Sequence, residues 1–193
     1  MLSRPPWNET NTLWLFFSIY FATSIRRVEM KRSIKVPTLS VERSGLLLAT
    51  VLVFFPNPIT HPSFLALRIH HSAAIANAGF CLTIAGLAFS AWSRDVLGRN
   101  WSARAMIQTG HQLITAGPYA YLRHPLYTGL IVALAGTALV AGEYGSLLGW
   151  VILTSVFRLK ARREEQLLET EFGPGYAAYR ARTGCLVPRI AHV

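Results

Sequence analysis

The chain is short of charge, of acids and of cysteine. Only 15% of its 193 residues are charged, and 9 Asp and Glu stand against 19 Lys and Arg. With 52% hydrophobic residues and a mean hydropathy of +0.34, that composition argues against a soluble globule. The 2 cysteines, Cys81 and Cys185, make neither a disulfide framework nor a thiolate cluster. His70 and His71 are adjacent, not at zinc-ligand spacing, so no metal is expected. No glycine-rich phosphate loop follows a strand pattern, and no Ser-His-Asp arrangement can be argued. There is no internal repeat and no low-complexity linker, and the length suits one domain.

What the chain has is apolar runs, near residues 12–25, 44–59, 72–92, 126–141 and 144–159. The third, SAAIANAGFCLTIAGLAFSAW, has the 21 residues that cross a bilayer comfortably. The others are shorter, and need local thinning, tilt or borrowed interfacial residues. The pattern predicts an all-α integral membrane protein with five transmembrane helices.

The net charge of +10 would admit nucleic acid, yet no nucleic-acid motif accompanies it. Its distribution points elsewhere. Arg26, Arg27, Lys31, Arg32, Lys35 and Arg43 lie between the first two runs, and Arg94, Arg99, Arg104 and Arg123 between the third and fourth. The rest follow or close the fifth, and only Arg4 and Arg68 fall on the other side. That is the positive-inside pattern, with the N-terminus outside and the C-terminus cytoplasmic. Topology and anionic lipid account for the charge, and no nucleic acid partner is expected. In the first run the positive charges follow the apolar stretch, which does not suit a cleavable signal.

The fourth and fifth runs are separated only by Gly142-Glu143-Tyr144-Gly145, which predicts a tight antiparallel helical hairpin. Gly129, Ala133, Thr137 and Ala141 recur every four positions. Such a stripe lets helix backbones approach closely, although small residues are also simply common in membrane helices.

Two segments carry candidate chemistry. In GPYAYLRHPLYTG, residues 117–129, Arg123 and His124 precede a proline that suits a first helical turn. A helix N-terminus there favours an anionic or electron-rich ligand. On the tripeptide alone, an arginine reaching phosphate headgroups beside a passive histidine is the plainer reading. Tyr119, Tyr121 and Tyr127 fit an interfacial belt, or ring faces beside a ligand cation. In Arg162-Arg163-Glu164-Glu165, just beyond the fifth run, solvated surface charge is the plain account, strongest for Glu165, Glu169 and Glu171. A tight hairpin, however, returns 158–165 to the face that holds 123–127, where a carboxylate could meet the Arg-His-Pro corner. Tyr176 and Tyr179, three apart after Phe172-Gly173, read by themselves as one face of an interfacial helix.

The order of these motifs is more telling than any one of them. Gln108-Thr109-Gly110-His111-Gln112-Leu113-Ile114-Thr115-Ala116-Gly117-Pro118-Tyr119 precedes Arg123-His124-Pro125-Leu126-Tyr127-Thr128-Gly129. Glu164-Glu165 and Phe172-Gly173-Pro174-Gly175-Tyr176 follow. Over about residues 84–186 the series resembles the isoprenylcysteine carboxyl methyltransferase family, which looks related to phospholipid N-methyltransferases. Trp92-Ser93-Arg94 and Leu97 to Ser102 fit its prokaryotic members.

The resemblance implies an S-adenosylmethionine-dependent membrane enzyme with a cytoplasmic cofactor pocket under a C-terminal cap. The chain would then divide into residues 1–71, two transmembrane helices, and 72–193, the methyltransferase core. Cofactor contacts would be Gln108, His111, Gln112, Leu113, Ile114, Tyr119, His124, Pro125, Leu126, Tyr127 and Glu164. The acceptor side would include Lys160, four residues before Glu164. The family's eukaryotic enzymes tend to carry arginine there, and lysine lacks its bidentate grip on a carboxylate. The stretch from Gln108 to His111 is also shorter than in those enzymes.

Methyl transfer mainly needs nucleophile and methyl held in line. A carboxylate acceptor needs only an orienting cation, Arg123 or Lys160, which makes Arg123 and Glu164 the catalytic candidates. An amine acceptor would instead need Glu164 or His124 as base. The expected acceptor is lipophilic, a prenylated or other lipid carboxylate reached from the bilayer, and the expected setting is a prokaryotic cytoplasmic membrane rather than the endoplasmic reticulum. Other readings are an N-methyltransferase, an NADPH-dependent membrane double-bond reductase of the sterol-reductase kind, and a non-catalytic membrane protein.

Overall fold

The computed structural model describes residues 6–24, 40–55, 67, 69, 72–98 and 112–189, and these are helical apart from turns and short extended pieces. The helices are α1 (Trp7–Thr23), α2 (Ser40–Phe54), α3 (Ala73–Leu97), α4 (Pro125–Ala141), α5 (Tyr144–Phe172) and α6 (Pro174–Arg182). A single 3₁₀ turn, Gly117–Ala120, precedes α4. Among the described residues an isolated parallel bridge joins Leu122 and Gly184.

Local signals set most of the boundaries. Ser72 caps α3, its Oγ accepting from the Ile75 amide at 3.3 Å. Pro125 and Pro174 open α4 and α6, where their missing N–H is no loss. Gly142 ends α4 in the left-handed region at φ 66°, which a residue with a Cβ adopts only under strain. With Glu143 as the next N-cap, the chain reverses over two residues. Leu67 and Ile69 brace this turn: the Ile69 amide donates to the Gly142 carbonyl at 3.0 Å, and the Tyr144 amide to that of Leu67 at 3.3 Å.

The fifth helix does not stop near 159. It continues through Lys160, Glu164 and Glu165 to Phe172, 29 residues in all. KARREEQLLETEF is a run of strong helix formers with no glycine or proline to interrupt it. Only Gly173, at φ 49°, breaks the helix. At 1.5 Å per residue α5 is about 43 Å long, so its polar half stands clear of the apolar one.

Helix packing also departs from the hairpin expectation. α4 and α5 do turn back on each other, but α4 seats its small-residue face on α3. A Cβ added to Gly86 would lie 2.6 Å from the Gly129 carbonyl oxygen, and one added to Gly79 2.7 Å from that of Gly136. Gly129, Ala133 and Thr137 of the stripe are buried, whereas Ala141 is only half-buried. The hydroxyls of Thr83 and Thr137 meet at 3.4 Å, and Trp14 of α1 donates to Thr137 Oγ1 at 2.8 Å. α5 takes α2 instead, where a Cβ on Gly149 would meet Val53 Cγ2 at 2.8 Å.

These contacts make an up-and-down arrangement. Tyr20, near the end of α1, hydrogen-bonds Asp95, near the end of α3, so those helices run parallel while α4 runs against them. Large apolar side chains point away from the protein: Phe16, Leu47, Leu48 and Val151 are each at least half exposed. Among the described residues α3 is the one helix long and apolar enough to cross a membrane, and Ser44–Phe54 and Pro125–Ala141 are apolar but shorter.

Candidate functional site

The start of α4 and the polar half of α5 come together at one end of the bundle. On α5, Phe157, Lys160 and Glu164 are spaced three and four apart, so they share a helix face. Tyr127, one turn into α4, sits against it. Its hydroxyl donates to Glu164 Oε1 at 2.7 Å. Its ring stacks on Phe157 at 5.3 Å and lies nearly parallel to the His124 ring at 5.6 Å. Lys160 Nζ stands 5.3 Å from the same ring centroid, within cation–π range.

Glu165, expected to be solvated surface charge, is buried instead, at 7% exposure. One residue on from Glu164, it points about 100° further round the helix and meets the Arg-His pair from the other side. Arg123 Nε donates to Glu165 Oε1 at 2.6 Å. His124 places Nδ1 3.6 Å from Glu164 Oε2 and Nε2 3.4 Å from Glu165 Oε1. Burial works to raise the Glu165 carboxyl, but the His124 and Arg123 partners outweigh it and hold the pKa at about 2. Burial likewise works to lower Arg123, and Glu165 more than restores it. Glu169 and Glu171 are exposed as expected, and Glu169 pairs with Arg180 at 2.9 Å on the surface.

A C-terminal strap closes over this corner. The Arg123 amide donates to the Gly184 carbonyl at 2.8 Å, the His124 amide to Cys185 at 3.1 Å, and the Gly184 amide to Tyr121 at 3.0 Å. Thr128 Oγ1 donates to the Leu186 carbonyl at 2.8 Å. Arg123 reaches the Thr183 carbonyl from beneath. The Arg123 guanidinium is thus committed to internal partners, with its side chain 10% exposed, and its post is to hold Glu165 and the strap.

The tyrosines of α6 correct the interfacial-helix reading. Tyr176 and Tyr179 are buried in the protein, and the Tyr179 hydroxyl donates to the carbonyls of Tyr119 and Leu122 at 2.8 and 3.2 Å. Burial pushes the Tyr179 phenol up to about 12. The Tyr119 phenol lies well above its ordinary value, raised by burial and then by Tyr179 and Glu164. Tyr121 alone of the expected tyrosine belt is freely exposed, at 69%.

Of the other expected site residues, Gln108 and His111 lie outside the described residues. Gln112, Leu113 and Ile114 form an irregular stretch leading into the 3₁₀ turn, with Leu113 and Ile114 half-buried. Pro125 and Leu126 are buried at the foot of α4. Sequence reasoning missed Phe157, Glu165 and Cys185. Helical spacing from Glu164 could have found Phe157, but no sequence signal ties Cys185 to the corner.

Comparison with known proteins finds similar chains. Residues 78–170 match the model of the isoprenylcysteine carboxyl methyltransferase family. The protein-S-isoprenylcysteine O-methyltransferase of Schizosaccharomyces pombe is 33% identical over 109 residues, covering 49% of this chain and 46% of that protein. The B enzyme of that name from Arabidopsis thaliana is 29% identical over 119 residues, covering 59% of each. The chain therefore spans about half the length of these relatives. The solved structure of a eukaryotic intramembrane Ras methyltransferase, isoprenylcysteine carboxyl methyltransferase, has the same fold. It superposes with a TM-score of 0.55 at 24% identity, over 80% of this chain and 55% of that one. Residues 78–170 of this chain thus match the isoprenylcysteine carboxyl methyltransferase family in sequence, and the arrangement of the helices is the fold of that solved structure.

Proposed function

We propose that the chain is an S-adenosylmethionine-dependent methyltransferase that O-methylates a lipophilic carboxylate at the cytoplasmic face of a membrane, with its five long helices embedded and its N-terminus outside. The observation that carries the reading is the meeting of His124 and Tyr127 on α4 with Lys160 and Glu164 on α5. Stacked rings beside a carboxylate suit a sulfonium cation, which gains from a ring face and a negative charge together. The sequence positions of the basic residues put the start of α4 and the end of α5 on the expected cytoplasmic side.

In this reading His124, Tyr127 and Glu164 hold the cofactor, with Tyr119, Pro125, Leu126 and the Gln112–Ile114 stretch shaping the pocket, and Gln108 and His111 completing it. The bound cofactor supplies an electrophilic methyl group. Lys160 orients the acceptor carboxylate, which is ionised at neutral pH and needs no base. Arg123 is a positioning residue: it fixes Glu165 and the strap, which keep water from the corner. Near-attack alignment of this kind is worth roughly 7–11 kcal/mol of barrier. Exposed apolar side chains around the bundle suit an acceptor that arrives from the bilayer.

The test incubates detergent-purified protein with methyl-tritiated S-adenosylmethionine and a total lipid extract or a synthetic prenylcysteine. We expect label in a lipophilic product that mild alkali releases as methanol, the mark of a methyl ester. Alkali-stable label would move the reading to N-methylation. Absence of both label and calorimetric binding of the cofactor would overturn it.

A further inference from the structure

We propose that His124, Glu165 and Cys185 form a binding site for one thiophilic divalent cation of the zinc type. The three come from the foot of α4, the polar half of α5 and the strap, and one ligand atom from each lies within 4.8 Å of the others. His124 Nε2 is buried, makes no well-aligned hydrogen bond among the described residues, and lies 3.4 Å from Glu165 Oε1, the carboxylate that would share the cation. The second ring nitrogen, Nδ1, faces the Glu164 carboxylate at 3.6 Å, the kind of outer partner that orients a metal-ligating imidazole.

Arg123 does not exhaust Glu165. A carboxylate offers about four lone-pair sites, and the Arg123 bond to Oε1 orients the group as outer partners of metal-ligating carboxylates do. At metal–ligand distances of about 2.0–2.3 Å, tetrahedral donors stand roughly 3.5 Å apart; His124 Nε2 and Glu165 Oε1 already stand at 3.4 Å, and the other separations, all within 4.8 Å, have little more than an ångström to close. Imidazole, thiolate and carboxylate together select Zn²⁺, Co²⁺ or Cd²⁺ over Mg²⁺ and Ca²⁺. Three protein ligands leave the fourth position to water. On binding, the Cys185 S–H bond breaks and its proton goes to the buffer as the S–metal bond forms; no electrons are exchanged. Because His124 belongs to both, cation and cofactor exclude one another, and that consequence alone rests on the methyltransferase reading.

The experiment titrates Co²⁺ into chelator-stripped, cofactor-free wild-type protein in detergent. One equivalent should produce a thiolate-to-cobalt charge-transfer band that Zn²⁺ displaces. Zn²⁺ should also slow iodoacetamide alkylation of Cys185 at least ten-fold, read by peptide mass, while leaving exposed Cys81 unchanged. Cys185→Ser should abolish the band and Cys81→Ser should keep it. A missing band in wild-type protein, a band that survives Cys185→Ser, or unprotected Cys185 overturns the site. The alkylation arm needs no substitution, so it decides even if Cys185→Ser fails to fold. Calorimetry with S-adenosylmethionine on the same stripped protein separates the two readings: cofactor binding without metal binding removes only the cation site, and the converse removes only the methyltransferase.

Discussion

Replacing Glu165 with glutamine should loosen the strap by a measurable amount. The change keeps the shape of the side chain and removes its charge, leaving the Arg123 guanidinium, itself 10% exposed, without its carboxylate. Breaking one partner of a buried pair costs about 3–5 kcal/mol. Here the amide oxygen can still accept from Nε, and Arg123 retains the Thr183 carbonyl and a 3.3 Å bond to the Arg180 carbonyl. A loss of about 2 kcal/mol is therefore the reasonable size, close to the difference between charged and neutral hydrogen bonds. That is roughly thirty-fold in the closed-to-open ratio. The strap's own hydrogen bonds supply the assay, since the amides of Arg123, His124 and Gly184 are protected only while it is closed. Hydrogen exchange followed by mass spectrometry should show them exchanging roughly thirty-fold faster in Glu165→Gln. Glu169→Gln, which breaks the exposed pair with Arg180, should change exchange by less than about five-fold. Equal exchange in wild type and Glu165→Gln would refute the idea that this pair locks the strap.

The same pair sets a pH dependence. The Glu165 pKa is depressed in the folded state from 4.5 to about 2, so its contribution is complete above the unfolded value and fades as pH falls through about 2. Strap protection measured by exchange should therefore weaken below pH 4.5 and be unaffected between pH 5 and 7. Tyr127→Phe keeps the stacking but removes the hydroxyl bond to Glu164; calorimetry should show S-adenosylmethionine binding several-fold weaker, for a loss of about 1 kcal/mol. Lys160→Gln should raise the KM for a carboxylate acceptor more than it lowers kcat. Gly86→Val should destabilise the fold by about 3 kcal/mol or more, because the Gly129 backbone would lie 2.6 Å from the new Cβ; thermal unfolding in detergent reads it.

The helices were legible because apolar runs and turn residues are local properties. The runs near 72–92 and 126–141 became α3 and α4, and Gly142 and Pro125 marked ends that backbone geometry alone demands. Hydropathy falls away near 159, whereas helix propensity carries α5 on to Phe172. The stripe at Gly129, Ala133 and Thr137 was visible, but its partner was not: small residues on Gly79 and Gly86 of α3, not the neighbour in sequence, accept it.

By itself, then, the sequence determined helical class and carried the Arg-His-Pro and Glu-Glu motifs whose order resembles that of the family. Only the tertiary structure decided what those motifs touch. Glu164 and Glu165 differ by one position, yet one faces Tyr127 and the other the Arg123 guanidinium. Arg123, a plausible free cation in the sequence, is consumed by internal partners, and Cys185 joins His124 and Glu165 although 61 residues of chain order part it from the histidine. The physical reason is that propensity and hydropathy act over a few residues, while a site is assembled by distant elements whose approach depends on which surfaces pack.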